Sequence, residues 1–152
     1  MKNKIYLFDI DGTLSDCEHR LHLIKEKPKD WGAFFRGIPH DAPITQTVEI
    51  LLALSDGFAI GLFTGRPEYT FNDTELWLEK HGIPYDMIHM REATDRRPDT
   101  IVKLELANKI GVNYDVMGIF EDRWPVIQSL REFGYHVYDV EQKRYVDNEP
   151  II

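Results

Sequence analysis

Short apolar runs, each ending in a polar or glycine-bearing turn, alternate along this chain with segments whose apolar residues recur at helical spacing. Ile5 to Ile10 is the first run and predicts a buried strand. Four more follow at Phe58 to Thr64, Tyr85 to Met90, Val116 to Phe120 and His136 to Val140. Between them, Ile44, Val48, Leu51 and Leu52 mark a helix that Gly57 stops. Thr70 with Asp73 opens a second helix, closed by Gly82. Pro98 and Asp99 open a third, with Ile101, Leu104 and Ala107 as its apolar stripe and Gly111 as its end. Val126, Ile127, Leu130 and Phe133 form a fourth stripe before Gly134.

Parallel neighbours need crossover connections, and those are helices. The alternation therefore predicts an α/β, Rossmann-like fold: a five-stranded parallel sheet flanked by helices. Ser15 to Pro43 is longer than a crossover requires. It reads as a small helical cap insertion over the site, with helical fragments at His19 to Lys25 and Trp31 to Phe35. Residues 1–152 are expected to form a single domain, because a second core would be starved of apolar surface. The polar tail after Val140 is expected to be loosely held.

A hydrophobic fraction of 43% with 12% aromatic residues supports a packed core and excludes a disordered chain. The net charge of -8 repels polyanions and anionic membranes from the molecule as a whole, so a nucleic-acid partner requires a local basic patch. The one cysteine, Cys17, has no intrachain partner, and the Met-Lys-Asn-Lys start precedes too short an apolar run for a signal peptide. A cytoplasmic protein without a membrane span is expected.

Open parallel sheets bind ligands beyond the carboxyl ends of their strands. There the first strand brings Asp9 and Asp11, then Gly12-Thr13. The second brings Thr64-Gly65-Arg66 and the fourth Glu121-Asp122-Arg123, while Lys103 lies in the first turn of the helix after the third strand. Each feature alone suits an ordinary turn or cap. Together they place four carboxylates and several cations around one crevice. Crowded carboxylates imply a bound cation, and hard oxygen donors favour Mg²⁺. A nucleophile, a metal and positive charge on the equatorial oxygens are what phosphoryl transfer requires.

FDIDGTLSD at Phe8 to Asp16, FTGRP at Phe63 to Pro67, Lys103 and the Glu121-Asp122 pair resemble the four ordered motifs of the haloacid dehalogenase superfamily. The resemblance implies a Mg²⁺-dependent phosphomonoester hydrolase working through an aspartyl-phosphate intermediate. Asp9 would be the nucleophile and Asp11 the general acid/base, with Thr64 and Lys103 holding the phosphoryl group. Asp9, the backbone carbonyl of Asp11, and Asp122 or Glu121 would ligate the metal. An acid at the second position distinguishes the phosphatases of that superfamily from its dehalogenases.

Arg91-Glu92, Asp95, Arg97, Asp99 and Val102 to Glu105 are similar in order and spacing to the phosphatase domain of phage polynucleotide kinase. So are Glu121-Asp122-Arg123 and His136 to Val140. That domain acts on 3′-phosphate ends of nucleic acids. This chain differs in having no kinase portion or phosphate-binding glycine loop, in opening its fourth motif with glutamate, and in its first insertion. A polynucleotide 3′-phosphate or a nucleotide is the expected substrate, with Gly65, Arg66, Arg97 and Arg123 as substrate-binding residues. Trp31, Phe34 and Phe35 are read as packing that fixes the insertion, with base stacking as the alternative. The short insertion leaves an open site, suited to a macromolecular end or to a small ester closed off by a neighbouring subunit of a homo-oligomer. Another small phosphate monoester and a phosphoacceptor signalling module are the competing readings; a receiver module would carry its phosphoacceptor on a middle strand.

Overall fold

The computed structural model describes residues 2–142, so most of the tail after Val140 lies outside the described residues. In chain order the elements are β1 (Asn3–Phe8), β2 (Ser15–Asp16), α1 (Glu18–Lys25), α2 (Trp31–Arg36), β3 (Ala42–Pro43), α3 (Thr45–Ser55) and β4 (Ala59–Pro67). Then follow α4 (Phe71–Lys80), β5 (Met87–Arg91), α5 (Asp99–Gly111), β6 (Tyr114–Glu121), α6 (Trp124–Phe133) and β7 (Val137–Asp139). No helix among the described residues is long and apolar enough to cross a membrane.

The five long strands form one parallel sheet in the order β5-β4-β1-β6-β7. The chain leaves β1 for β4 and β5 on one side and returns to β6 and β7 on the other. A crevice therefore opens at the carboxyl end of β1, where the winding reverses.

Successive strand side chains face opposite sides of a sheet. Ile5 and Leu7 of β1 thus pack with Val102, Leu106, Val126 and Leu130 of α5 and α6. Phe8 joins Ile60, Leu62, Val48, Leu51 and Trp77 on the face covered by α3 and α4. Burial on both faces explains why the strands read as continuous apolar runs.

The stripe expected on α5 is displaced in the structure. Ile101 is exposed, and the buried face consists of Val102, Lys103, Leu106, Ala107 and Ile110. A lysine lies on the core side of the helix, so a pattern built from apolar residues alone settles on the wrong register. On α6, Val126, Ile127 and Leu130 are buried as expected, whereas Phe133 is exposed.

The insertion is closed at its neck by the antiparallel pairing of β2 with β3. Within it, Asp30 caps α2 by accepting from the Ala33 N–H at 2.9 Å. The single buried residue of α1 is Arg20. That helix is docked by ion pairs rather than by an apolar stripe.

Candidate active site

The site is built on the turn after β1. Asp9 N–H still donates to Phe120 O, which prolongs the sheet by one residue. The chain then wraps around the Ile10 carbonyl, which accepts from the N–H groups of Thr13, Leu14 and Ser15. This wrap brings the Thr13 hydroxyl back to Asp9, donating to Oδ2 at 3.2 Å. Gly12 adopts φ +83°, and a Cβ there would lie 2.1 Å from Asp122 Oδ2. Gly12→Ala is therefore expected to destabilise the fold by about 1–3 kcal/mol. It should also displace Asp122 from the acidic cluster and weaken affinity for a divalent cation held there about 10- to 100-fold, to be measured by urea unfolding and metal titration.

Asp9 is almost wholly buried. Its Oδ1 accepts from Lys103 Nζ at 2.8 Å, and the same ammonium donates to Glu121 Oε2 at 2.9 Å. Burial alone would lower the Lys103 pKa, but the Asp9 and Glu121 carboxylates outweigh it and hold the amine charged. Glu121 Oε1 accepts from the backbone N–H groups of Asp122 and Arg123, so both oxygens of this buried carboxylate are committed to the protein. Thr64, near the carboxyl end of β4, accepts the Arg66 N–H on its hydroxyl oxygen, leaving its hydroxyl hydrogen to donate.

Ligand atoms of Asp9, Glu121 and Asp122 lie within 4.8 Å of one another. Burial, followed by repulsion from Glu121, raises the Asp9 pKa, and burial with the charges of Asp9 and Glu121 raises that of Asp122. Lys103 offsets only part of the crowding at Asp9. An all-oxygen cluster that resists full ionisation in the absence of a cation fits a hard divalent ion.

Asp11 is held by a second ionic network that the sequence reading does not contain. Arg66 Nη2 donates to Asp11 Oδ1 at 2.6 Å, and Arg20 Nη2 donates to the same oxygen at 2.7 Å. Asp41 anchors Arg20 from behind, accepting from Nε at 2.8 Å and Nη2 at 2.7 Å, while His19 Nε2 lies 2.7 Å from Asp41 Oδ1. Burial would raise the Asp11 carboxyl, but Arg66 and then Arg20 hold it well below the usual carboxylate range. Arg66 also donates to Thr74 and Ser15, so this residue, expected to bind substrate, is turned inward onto Asp11.

The remaining arginines divide into two groups. Arg91 and Arg123 both pair with Asp99 at the start of α5, and Arg91 Nε also donates to the Gly65 carbonyl at 3.1 Å. Gly65 sits where β4 leaves its register with β5, and a Cβ on it would come within 2.7 Å of Asp99 Oδ1. Gly65 and Arg123 thus border the crevice. Arg97 lies on the exposed surface, bound to Asp95 and Glu105.

A family model for the polynucleotide kinase phosphatase domain matches residues 3–145. The chain belongs to that family. It is a phosphatase of the haloacid dehalogenase superfamily, as the order of Asp9, Thr64, Lys103 and Glu121-Asp122 around the crevice implies. It superposes with a TM-score of 0.76 on a chain of the Pnkp1/Rnl/Hen1 RNA repair complex, at 29% identity over 91% of its own length. That match takes in 42% of the larger chain, so this phosphatase spans less than half of the protein it resembles. A haloacid dehalogenase-like hydrolase from Streptococcus pneumoniae shares its fold over 99% of this chain and 92% of the other, with TM-score 0.67 and 18% identity. A class C acid phosphatase from Bacillus anthracis does so over 88% of this chain and 62% of the other, with TM-score 0.66 and 15% identity. No curated protein matches the sequence.

Three residues of the phosphatase site escaped the sequence reading in the roles they occupy: Arg20, Asp41 and Asp99. Arg20 and Asp41 come from the insertion and meet across 21 positions of sequence. The one available signal was an arginine on a short helix with almost no apolar stripe.

Proposed function

We propose that this phosphatase removes the 3′-phosphate from a nucleic-acid end, with Mg²⁺ and through an aspartyl-phosphate on Asp9. The observation that carries the reading is the enclosure of the Asp9 carboxylate by Lys103 and Thr13, with Asp11 two residues away. The family match over residues 3–145 and the likeness to a chain of an RNA repair complex support the choice of substrate class.

In the first step an oxygen of Asp9 attacks phosphorus. The bond to the ester oxygen breaks, and that oxygen takes a proton from Asp11. In the second, Asp11 takes a proton from water, and the hydroxide oxygen attacks the same phosphorus. The acyl-phosphate bond breaks, releasing phosphate and restoring Asp9. Lys103 and the Thr64 hydroxyl would bind phosphoryl oxygens as charge shifts between them. Asp9, the Asp11 carbonyl and Asp122 would hold Mg²⁺, which when bound screens the attacking carboxylate from the phosphate dianion. Glu121 is committed to Lys103 and two backbone N–H groups, which favours Asp122 as the ligand and gives Glu121 a positioning role.

The resting network suits Asp11 best as a base, because two guanidinium groups favour its carboxylate. Donation to the leaving oxygen requires those contacts to slacken when the phosphate enters. Asp11→Asn should therefore slow hydrolysis of alkyl esters about 10²- to 10⁴-fold, and that of p-nitrophenyl phosphate less, since its leaving group needs no proton.

The test is phosphate release from an oligonucleotide 3′-phosphate, nucleoside 3′- and 5′-monophosphates and p-nitrophenyl phosphate, each with Mg²⁺ or with chelator. The expected result is metal-dependent turnover with the highest kcat/KM on the oligonucleotide. Preference for 5′-mononucleotides, or full activity in chelator, would sink the proposal.

A further inference from the structure

The rim of the phosphatase crevice is aromatic, and we infer that it stacks the last bases of a single-stranded nucleic-acid end whose 3′-phosphate lies at Asp9. This rests on the 3′-phosphatase reading and adds how that substrate is gripped. Trp31 is 48% exposed and Tyr69 65% exposed. Trp31 lies nearly parallel to Phe35, with centroids 5.9 Å apart, and Phe35 meets Tyr69 edge-on at 6.0 Å. The insertion and the turn leaving β4 are therefore bridged by rings whose outer faces are open to solvent.

The rim adjoins the catalytic network. Phe34, buried beneath it, lies 5.3 Å from Phe35 and carries the Arg20 guanidinium over its ring at 4.3 Å, and that guanidinium bonds Asp11. Tyr69 stands five residues beyond Thr64, so both sides of the rim rise from the carboxyl edge of the sheet.

Packing accounts for Phe34, which is buried, but not for two large rings left 48% and 65% in water. Local charge favours a polyanion as occupant. Residues 25–36 carry Lys25, Lys27, Lys29 and Arg36 against Glu26 and Asp30, a net of +2 (four minus two) within a chain of -8. The Lys29 ammonium lies 6.0 Å from the Trp31 ring centroid. A strand with stacked bases and phosphodiesters satisfies rings and lysines together. A mononucleotide has no upstream base to offer the rim.

The experiment compares kcat/KM for a trinucleotide 3′-phosphate with that for a nucleoside 3′-monophosphate, in the wild type, Trp31→Ala and Tyr69→Ala. Stacking predicts that the ratio falls about tenfold in each variant through KM, and falls similarly in the wild type when the upstream nucleotides are abasic. A merely structural role would lower both rates and leave the ratio where it was, which overturns the inference while the 3′-phosphatase reading stands. A wild type that hydrolyses no 3′-phosphorylated strand overturns both. Sedimentation equilibrium supplies the other contradiction: a dimer that Trp31→Ala dissociates would assign the rim to a second copy of this chain.

Discussion

Asp9→Asn is expected to abolish phosphate release from every substrate, lowering kcat by at least about four orders of magnitude. On the proposed mechanism the amide, still enclosed by Lys103 and Thr13, cannot form an acyl-phosphate. The fold should survive, because the Asn side chain keeps the volume of Asp and its carbonyl oxygen can still accept from Lys103. Circular dichroism and urea unfolding will separate lost chemistry from lost structure. Residual turnover above about one per cent of wild type, in a folded variant, would mean that Asp9 is not the nucleophile.

Lys103→Met is the substitution expected to damage both stability and catalysis. The ammonium is buried and bridges Asp9 and Glu121, so removing it leaves two buried carboxylates facing each other. Breaking a buried pair by deleting one partner typically costs about 3–5 kcal/mol. Urea unfolding in chelator should show a loss of that size, and kcat should fall about 10²- to 10³-fold for want of a cation on the phosphoryl oxygens. A variant of wild-type stability would show that the carboxylates are neutral in the resting protein. Lys103 would then not be the charge that organises them.

The alternation of apolar runs and helical stripes was enough to place the five strands and their crossovers, since a parallel sheet buried on both faces leaves a strong imprint on sequence. Asp9, Thr64, Lys103 and the Glu121-Asp122 pair were legible for a related reason. Each lies at a strand end or a helix start, and the winding order brings such positions to one edge. The register of α5 was misread because its core face contains Lys103, whose burial is sustained by charges on other elements. The network around Asp11 left no local trace. Arg20, Asp41 and Arg66 meet through contacts that span 9 to 55 positions, and α1 lacks the periodicity that would announce which side faces inward.

Arg66, Arg97 and Arg123, expected to bind substrate, show the same limit from the other side. Arg66 lies within the end of β4 and Arg123 just before α6, but a sequence does not say which carboxylate each guanidinium meets. Arg66 turns inward to Asp11, Arg91 and Arg123 converge on Asp99, and Arg97 pairs at the surface. Competition among nearby carboxylates decides these pairings, and they form only after the fold has closed.

The proposed function turns on phosphoryl transfer to Asp9 from a nucleic-acid 3′ end. It is tested most directly by rapid acid quench of the wild-type enzyme with an oligonucleotide carrying a radiolabelled 3′-phosphate, in Mg²⁺, followed by mapping of any label on the protein. The expected result is transient labelling that peptide mapping places on Asp9 and that is absent from Asp9→Asn. Complete release of labelled phosphate to water with no labelled protein at any time, or label on another residue, would contradict it.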